Sequence, residues 1–283
     1  MKKLIPFLSA SILALGLLAG CGSQKQEGSA QPASGATPAK QAAVLTVGAT
    51  SVPHAEILNA AKPLLQEKGI ELKVQEFNDY VLPNTSLEDK QLDANFFQHV
   101  PYLESFNKDH GTHLVSAFPV HFEPLGLYAG KQKTLDNIPD NAVIAVPNDP
   151  SNEARALLLL QSKGVIKLPE NADLKATPKD IKENPHKVQI KELDASFIAR
   201  SLADVDYAVI NGNFALQAGL KSSDALAMED KNSLAAKTFA NVVVVRQGDE
   251  NKEAIKTLKE VLASDKIKQF IESKYNGSVI PVN

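Results

Sequence analysis

Apolar and polar positions divide this chain into three parts. Residues 4–19 form an apolar run nearly free of polar groups, headed by Lys2 and Lys3. Residues 22–43 are mostly Gln, Ser, Ala, Pro, Gly and Lys, with no aromatic or branched aliphatic side chain. From Val44 onward, short β-type runs alternate with helix-like segments. Alternation of period two, clearest over residues 71–77, marks strands. Strands are predicted at residues 44–48, 71–77, 93–97, 114–119, 142–146, 187–190, 207–210 and 241–245. Helices are predicted at residues 53–68, 101–109, 151–162, 195–202, 214–218, 251–262 and 266–274. Pro53 suits the first turn of its helix and Gly69 its stop. This alternation predicts an α/β fold with parallel sheets and helices on both faces.

Two stretches echo one another. Residues 87–92 lead into Asp93-Ala94-Asn95-Phe96-Phe97, then Gln98-His99. Residues 197–205 lead into Asp206-Tyr207-Ala208-Val209-Ile210, then Asn211-Gly212-Asn213. Ligands of open α/β sheets sit beyond the carboxyl ends of the strands. Two such units facing each other would present His99 and Asn211 to one cleft.

The beginning of the chain has the layout of a secretory signal: a positive start, an apolar stretch, then small residues. It is too short to read as a permanent membrane span. Its end, Leu18-Ala19-Gly20-Cys21, contains the one cysteine of the 283 residues, so no intramolecular disulfide is available. Leu-Ala-Gly-Cys resembles the bacterial lipobox, in which the signal is cut before Cys and that Cys carries lipid. The plainer alternative is a spent signal with an incidental Cys. The expected division is a signal peptide over residues 1–20, a lipidated Cys21 with a flexible tether over residues 21–43, and a folded body after it. The tether cannot bury enough apolar surface to offset its ordering entropy. As a coil its ~22 residues would span roughly 25 Å.

The body has a hydrophobic content, 43% over the whole chain, that permits a proper core. The net charge of −3 falls to about −5 once Lys2 and Lys3 are removed. With no basic stripe, no Trp and few aromatics, no nucleic-acid surface is expected.

Four blocks in order carry a family resemblance. They are residues 77–84 (FNDYVLPN), residues 93–103 (DANFFQHVPYL), residues 146–160 (VPNDPSNEARALLLL) and residues 208–215 (AVINGNFA). Together they resemble the NlpA family of lipoproteins, the substrate-binding subunits of methionine ABC importers. The match runs from about Val44 to the C-terminus. The resemblance implies a two-lobed, type II-like periplasmic-binding-protein fold, each lobe a mainly parallel sheet flanked by helices. Residues 44–124 plus 231–283 would form the first lobe and residues 125–230 the second. Glu123-Pro124 and the Glu229 to Phe239 region would flank the two crossings. The resemblance further implies a monomer that binds L-methionine, is held to the membrane by lipid and delivers to a permease with its ATPase. It implies no cofactor, no resident metal and no catalysis.

The candidate ligand residues make chemical sense as well. A free amino acid brings a carboxylate, an ammonium and a side chain. Arg155 falls in the first turns of a predicted helix, where a guanidinium fork and the helix N-terminus both suit a carboxylate; taken alone, it equally suits a surface ion pair. Asn211 and Asn213 follow a predicted strand, and their amides can accept from an ammonium or donate to a carboxylate; ordinary helix capping is the alternative. Asn241 aligns with a binding Asn of the family, or is simply polar at a strand start. Tyr80, Phe97 and His99 resemble the family's side-chain pocket, in which a thioether gains from aromatic edges. Taken alone, Phe97 suits a core and His99 a satisfied buried ring. Tyr102 reads as packing. Glu123 suits either a ligand ammonium or the lining of a hinge.

Two other functions fit part of the pattern. His99, His110, His113 and His121 cluster in sequence, and imidazole is a good transition-metal ligand, which would suit a metal-binding surface lipoprotein. No carboxylate motif completes that set. A secreted enzyme would need a nucleophile or metal motif, and neither G-x-S-x-G nor H-E-x-x-H occurs.

Overall fold

The computed structural model describes residues 42–230 and 237–282. Cys21 and the expected tether lie outside them, as does part of the expected second crossing. No helix among the described residues is long and apolar enough to cross a membrane.

Two sheets organise the body. The first holds β1 (Ala43–Thr50), β2 (Ile70–Phe77), β3 (Ala94–His99), β4 (Leu114–Phe122), β10 (Ala240–Arg246) and β11 (Ile280–Pro281), in the order β11-β4-β10-β3-β1-β2. The second holds β5 (Gly126–Ala129), β6 (Val143–Pro147), β7 (Gln189–Leu193), β8 (Tyr207–Ile210) and β9 (Ala225–Met228), in the order β7-β6-β8-β5-β9. The α-helices with both ends among the described residues are α1 (Glu56–Glu67), α2 (Leu82–Glu88), α3 (Val100–His110), α4 (Pro150–Ser162), α5 (Ala195–Ile198), α6 (Gly212–Gln217), α7 (Glu253–Leu262) and α8 (Asp265–Tyr275).

The sheets are mixed, which corrects the expectation of mainly parallel ones. β1 pairs in parallel with β2 and β3, and β6 with β7 and β8. β10 runs antiparallel to β3 and β4, and β5 antiparallel to β8 and β9. Parallel neighbours are joined by crossovers, usually helical. β5 follows β4 of the other sheet after only Glu123-Pro124-Leu125, and β10 likewise follows β9 of the other sheet, so neither enters its sheet through a helical crossover from a neighbouring strand.

The central strands β8 and β10 are largely apolar because both their faces are covered, whereas β3 also buries Asn95, Gln98 and His99. β3, β8 and nearly all of β10 are buried. α1 buries Ile57, Leu58, Ala61 and Leu65, a stripe at helical spacing. It joins Val47, Phe96, Val243, Leu258 and Ile271 in the core of the first sheet. α4 carries Leu157 and Leu160 into the core of the second, beside Leu127, Ile144 and Val209. The helix expected from Pro53 starts later: residues Ser51–Ala55 make an irregular turn with Val52 extended, and regular helix begins at Glu56.

The candidate ligand site

The carboxyl ends of β3, β6 and β8 converge on one cleft with about 330 Å³ of atom-free space, part of it open to solvent. Tyr80, Phe97, His99, Arg155, Asn211, Asn213 and Asn241 all line it, so every expected ligand residue falls in one place. Gln98, Tyr102, Glu123, Asn152 and Gly212 complete the wall.

One end is aromatic. The Tyr80 ring lies 5.6 Å from Phe97, 5.5 Å from Tyr102 and 4.9 Å from Phe214. The Tyr102 hydroxyl donates to the Tyr80 carbonyl at 3.0 Å. Tyr102, expected only to pack, therefore both packs and lines the cleft.

The other end is a chain of amides whose orientations determine one another. Asp149 caps α4, accepting from the backbone N–H of Asn152 and from its side-chain NH₂ at 3.0 Å each. Asn152 therefore turns its Oδ1 into the cleft. That oxygen takes the Asn211 NH₂ at 2.9 Å and the His99 Nε2–H at 3.1 Å. His99 can donate there because its Nδ1 accepts from the Tyr102 backbone N–H at 3.2 Å, which sets the tautomer. Burial, then the nearby Arg155 charge, lowers the His99 pKa to about 3, so the ring is neutral. Asn213 accepts the Tyr80 hydroxyl on Oδ1. Of the four side-chain atoms buried without partners among the described residues, two belong to this chain of amides: Oδ1 of Asn211 and Nδ2 of Asn213. One calls for a donor and the other for an acceptor. A buried polar group left unmatched costs ~1–3 kcal/mol.

Arg155 is almost fully buried and already engaged. Its Nε donates to Glu229 Oε1 at 2.7 Å, its Nη2 to Glu229 Oε2, and the same Nη2 to the Glu123 carbonyl at 2.9 Å. Its guanidinium carbon lies 4.2 Å from the centre of the Phe239 ring. Among the described residues nothing pairs with Nη1, which is what remains of the expected fork.

His54 was not expected at the site. Its Nε2–H donates to Asn241 Oδ1 at 3.1 Å and lies 3.3 Å from Glu123 Oε1, while its Nδ1 accepts from the Thr50 hydroxyl at 2.7 Å. His121 Nε2–H donates to the same Glu123 oxygen at 2.7 Å. Burial lowers His54 to about 4 and His121 to about 3. His54, His121 and Glu123 are the candidate metal group among the described residues, their ligand atoms lying within 4.8 Å of one another. A metal held by both Nε2 atoms would put protons on both Nδ1 atoms. Thr50 could accept one, but His121 Nδ1 is buried with no partner. Hydrogen bonding to Glu123 leaves only a lone pair unmatched there, so a proton-sharing network fits these residues better. The four histidines that cluster in sequence do not gather: His110 stacks on Phe106 at 4.0 Å, His113 faces Glu88, and His99 and His121 take the separate places described above. Only the long-range fold could have revealed His54 and Glu229 as partners.

Residues 45–283 match the model of the NlpA lipoprotein family. The chain belongs to that family. It is 42% identical over 290 residues to the methionine-binding lipoprotein MetQ of Bacillus subtilis, covering 100% of each chain. It is 38% identical over 240 residues to the D-methionine-binding lipoprotein MetQ of Salmonella typhi, covering 83% of this chain and 87% of that one. The structure of a nutrient-binding protein from Burkholderia cenocepacia bound to methionine superposes with a TM-score of 0.80 at 44% identity, over 84% of this chain and 100% of that one. The fold is thus that of NlpA-type substrate-binding proteins, and these relatives are named for binding rather than for catalysis.

Proposed function

We propose that this NlpA lipoprotein captures a free amino acid, L-methionine, in the cleft and delivers it to an ABC importer, a membrane permease with its ATPase. The observation that carries this reading is the pair of buried, unmatched amide atoms, Asn211 Oδ1 and Asn213 Nδ2, beside the Tyr80–Phe97–Tyr102 aromatics. An α-ammonium suits the first and an α-carboxylate the second, and Arg155 lines the same cleft. A thioether is polarizable and gains ~0.3–1.5 kcal/mol from aromatic edges. The B. subtilis name and the methionine in the B. cenocepacia structure support the same ligand. The two lobes of this reading are residues 44–124 with 231–283, and residues 125–230, closing on the ligand as a monomer. Lipid on Cys21 would hold the protein outside the cytoplasmic membrane. Titration calorimetry of ligand-free protein against L-methionine, D-methionine and leucine tests the reading. Tightest binding to L-methionine is expected; no heat with either methionine, together with binding of another solute, would overturn it.

A further inference from the structure

Glu123 stands where the chain first crosses between the sheets, 5% exposed and lining the cleft. It is held from three sides. His121 and His54 hold Oε1 from the first sheet. Gly212 lies under the side chain from the second sheet's side: a Cβ there would sit 2.8 Å from both Glu123 Cβ and Oε2, so glycine leaves the space the carboxylate needs. The Asn213 backbone N–H also faces the carboxylate.

The charges around it do not balance. Arg155 is matched by Glu229 through two hydrogen bonds. His54, His99 and His121 are neutral, because burial disfavours their charged forms. Asp149 is bonded to its own helix start and to Asn152 and Ser151. Glu123 has no cation to itself. A buried carboxylate without a counter-charge is expensive, and burial accordingly raises its pKa, with His54 and Arg155 opposing. Its position relative to Arg155 matters too. The Glu123 carbonyl accepts from Arg155 Nη2 at 2.9 Å, so the guanidinium lies against the Glu123 backbone, and its charge acts on the carboxylate. An amino acid carries its ammonium and carboxylate on one carbon, and needs its two recognising charges adjacent in this way.

We propose that Glu123 is the counter-charge for the ligand's α-ammonium, and that the cleft therefore selects a free α-amine over hydroxy and N-acyl analogues. This rests on the amino-acid reading above and adds the group that enforces it. His54 and His121 are positioning residues: as neutral donors they hold the carboxylate without cancelling its charge.

The test is titration calorimetry of wild type and Glu123→Gln with L-methionine and with its 2-hydroxy analogue. Truncating one partner of a buried charge pair costs 2–5 kcal/mol, so wild type should prefer methionine by ~30-fold or more. Glu123→Gln should weaken methionine by at least ~10-fold and the hydroxy analogue by less than ~3-fold, so the preference collapses. Equal loss for both ligands, or no loss for methionine, would overturn the inference and leave Glu123 as a hinge residue. Should Glu123→Gln fail to fold, Glu123→Asp carries the same comparison: withdrawing the carboxylate by one methylene must lower the preference, and an unchanged preference overturns the inference. If wild type bound neither ligand, the amino-acid reading itself would fall, a result distinct from a wild type that binds methionine with a preference insensitive to residue 123.

Discussion

Arg155 and Glu229, 74 positions apart, face each other through two hydrogen bonds at the second crossing. Glu229 also accepts from the Leu125 backbone N–H at 2.8 Å, and its own N–H donates to the Leu125 carbonyl at 3.0 Å. The pair thus ties both crossing segments to the head of α4. A conformational change that opens the cleft must bend around this tie.

Arg155→Ala should remove the tie and leave the Glu229 carboxylate buried without its cation. Breaking one side of a buried pair costs ~3–5 kcal/mol. Replacing both members, Arg155→Met with Glu229→Leu, should restore much of that stability, because the charges leave together. Methionine affinity should stay low in the double variant if Arg155 Nη1 takes the ligand carboxylate. Thermal unfolding and calorimetry on the same samples separate the two effects. A double variant that binds methionine within about threefold of wild type, far inside the tenfold that 1.4 kcal/mol gives, would make Arg155 purely structural.

The tie was not legible in the sequence, although Arg155 was. Arg155 carries a signal of its own, a cation in the first turns of a helix after an Asn-Asp-Pro-Ser start. Glu229 carries none until the fold brings it close. The same contrast runs through the architecture. β8 and the middle of β10 could be read because both faces are buried and the runs are apolar, and β3 because its Phe96-Phe97 centre is. β5 and β9, four residues each, and β11, two residues, are too short to show a period. α2 begins Leu82-Pro83-Asn84-Thr85-Ser86, a composition that reads as a turn. The ligand residues fall into one cavity because Tyr80, Arg155, Asn211 and Asn213 lie just beyond a strand end or in the first turns of a helix, and Phe97, His99 and Asn241 near the ends of β3 and β10; such positions are local. Their partners, His54 to Asn241 or His99 to Asn152, depend on contacts that no local pattern encodes.

Asn213→Ala should weaken methionine by ~5-fold to 150-fold, the range set by ~1–3 kcal/mol for an unmatched buried group. Tyr80→Phe removes only the hydroxyl that Asn213 Oδ1 accepts, and should have a smaller effect. Calorimetry on both variants ranks them. The reverse ranking would shift the polar recognition from the amide to the tyrosine.

Acid should destabilise the folded body between about pH 6.5 and 3. The His54, His99 and His121 rings lie at about 4, 3 and 3 when folded, against an ordinary 6.5. In that window the unfolded chain binds the protons, so stability falls as pH falls. Each ring contributes on the order of 2–3 kcal/mol by pH 4. Glu123 and Asp149, whose pKa values burial raises, act in the opposite sense and blunt the slope. Melting temperature measured from pH 7.5 to 4 should drop, and His99→Gln should flatten part of the drop. A profile level down to pH 4 would mean that these rings are not neutral in the folded state.

Cys21→Ser should release the protein from membranes and leave methionine binding unchanged. The prediction follows from the Leu18-Ala19-Gly20-Cys21 run and the polar stretch after it. A lipid anchor needs the thiol, whereas the cleft is lined by residues from Tyr80 onward. Fractionation after a carbonate wash checks the first half and calorimetry the second. Substituted protein still held in the membrane fraction would place the anchor elsewhere.

Methionine and norleucine differ by one sulfur in place of a methylene, so their comparison isolates the aromatic end of the cleft. Phe97 and Tyr102 both face Tyr80, with ring centres 5.6 and 5.5 Å from it. Sulfur near an aromatic edge gains ~0.3–1.5 kcal/mol, so methionine should be preferred by ~2-fold to 12-fold. Phe97→Leu keeps an apolar wall of similar reach but removes a ring. It should lower affinity for both ligands and bring their ratio toward one. A ratio that survives in Phe97→Leu would assign the thioether contact to Tyr80 or Tyr102, and a norleucine affinity equal to methionine in wild type would show that only length and apolarity are read at that end.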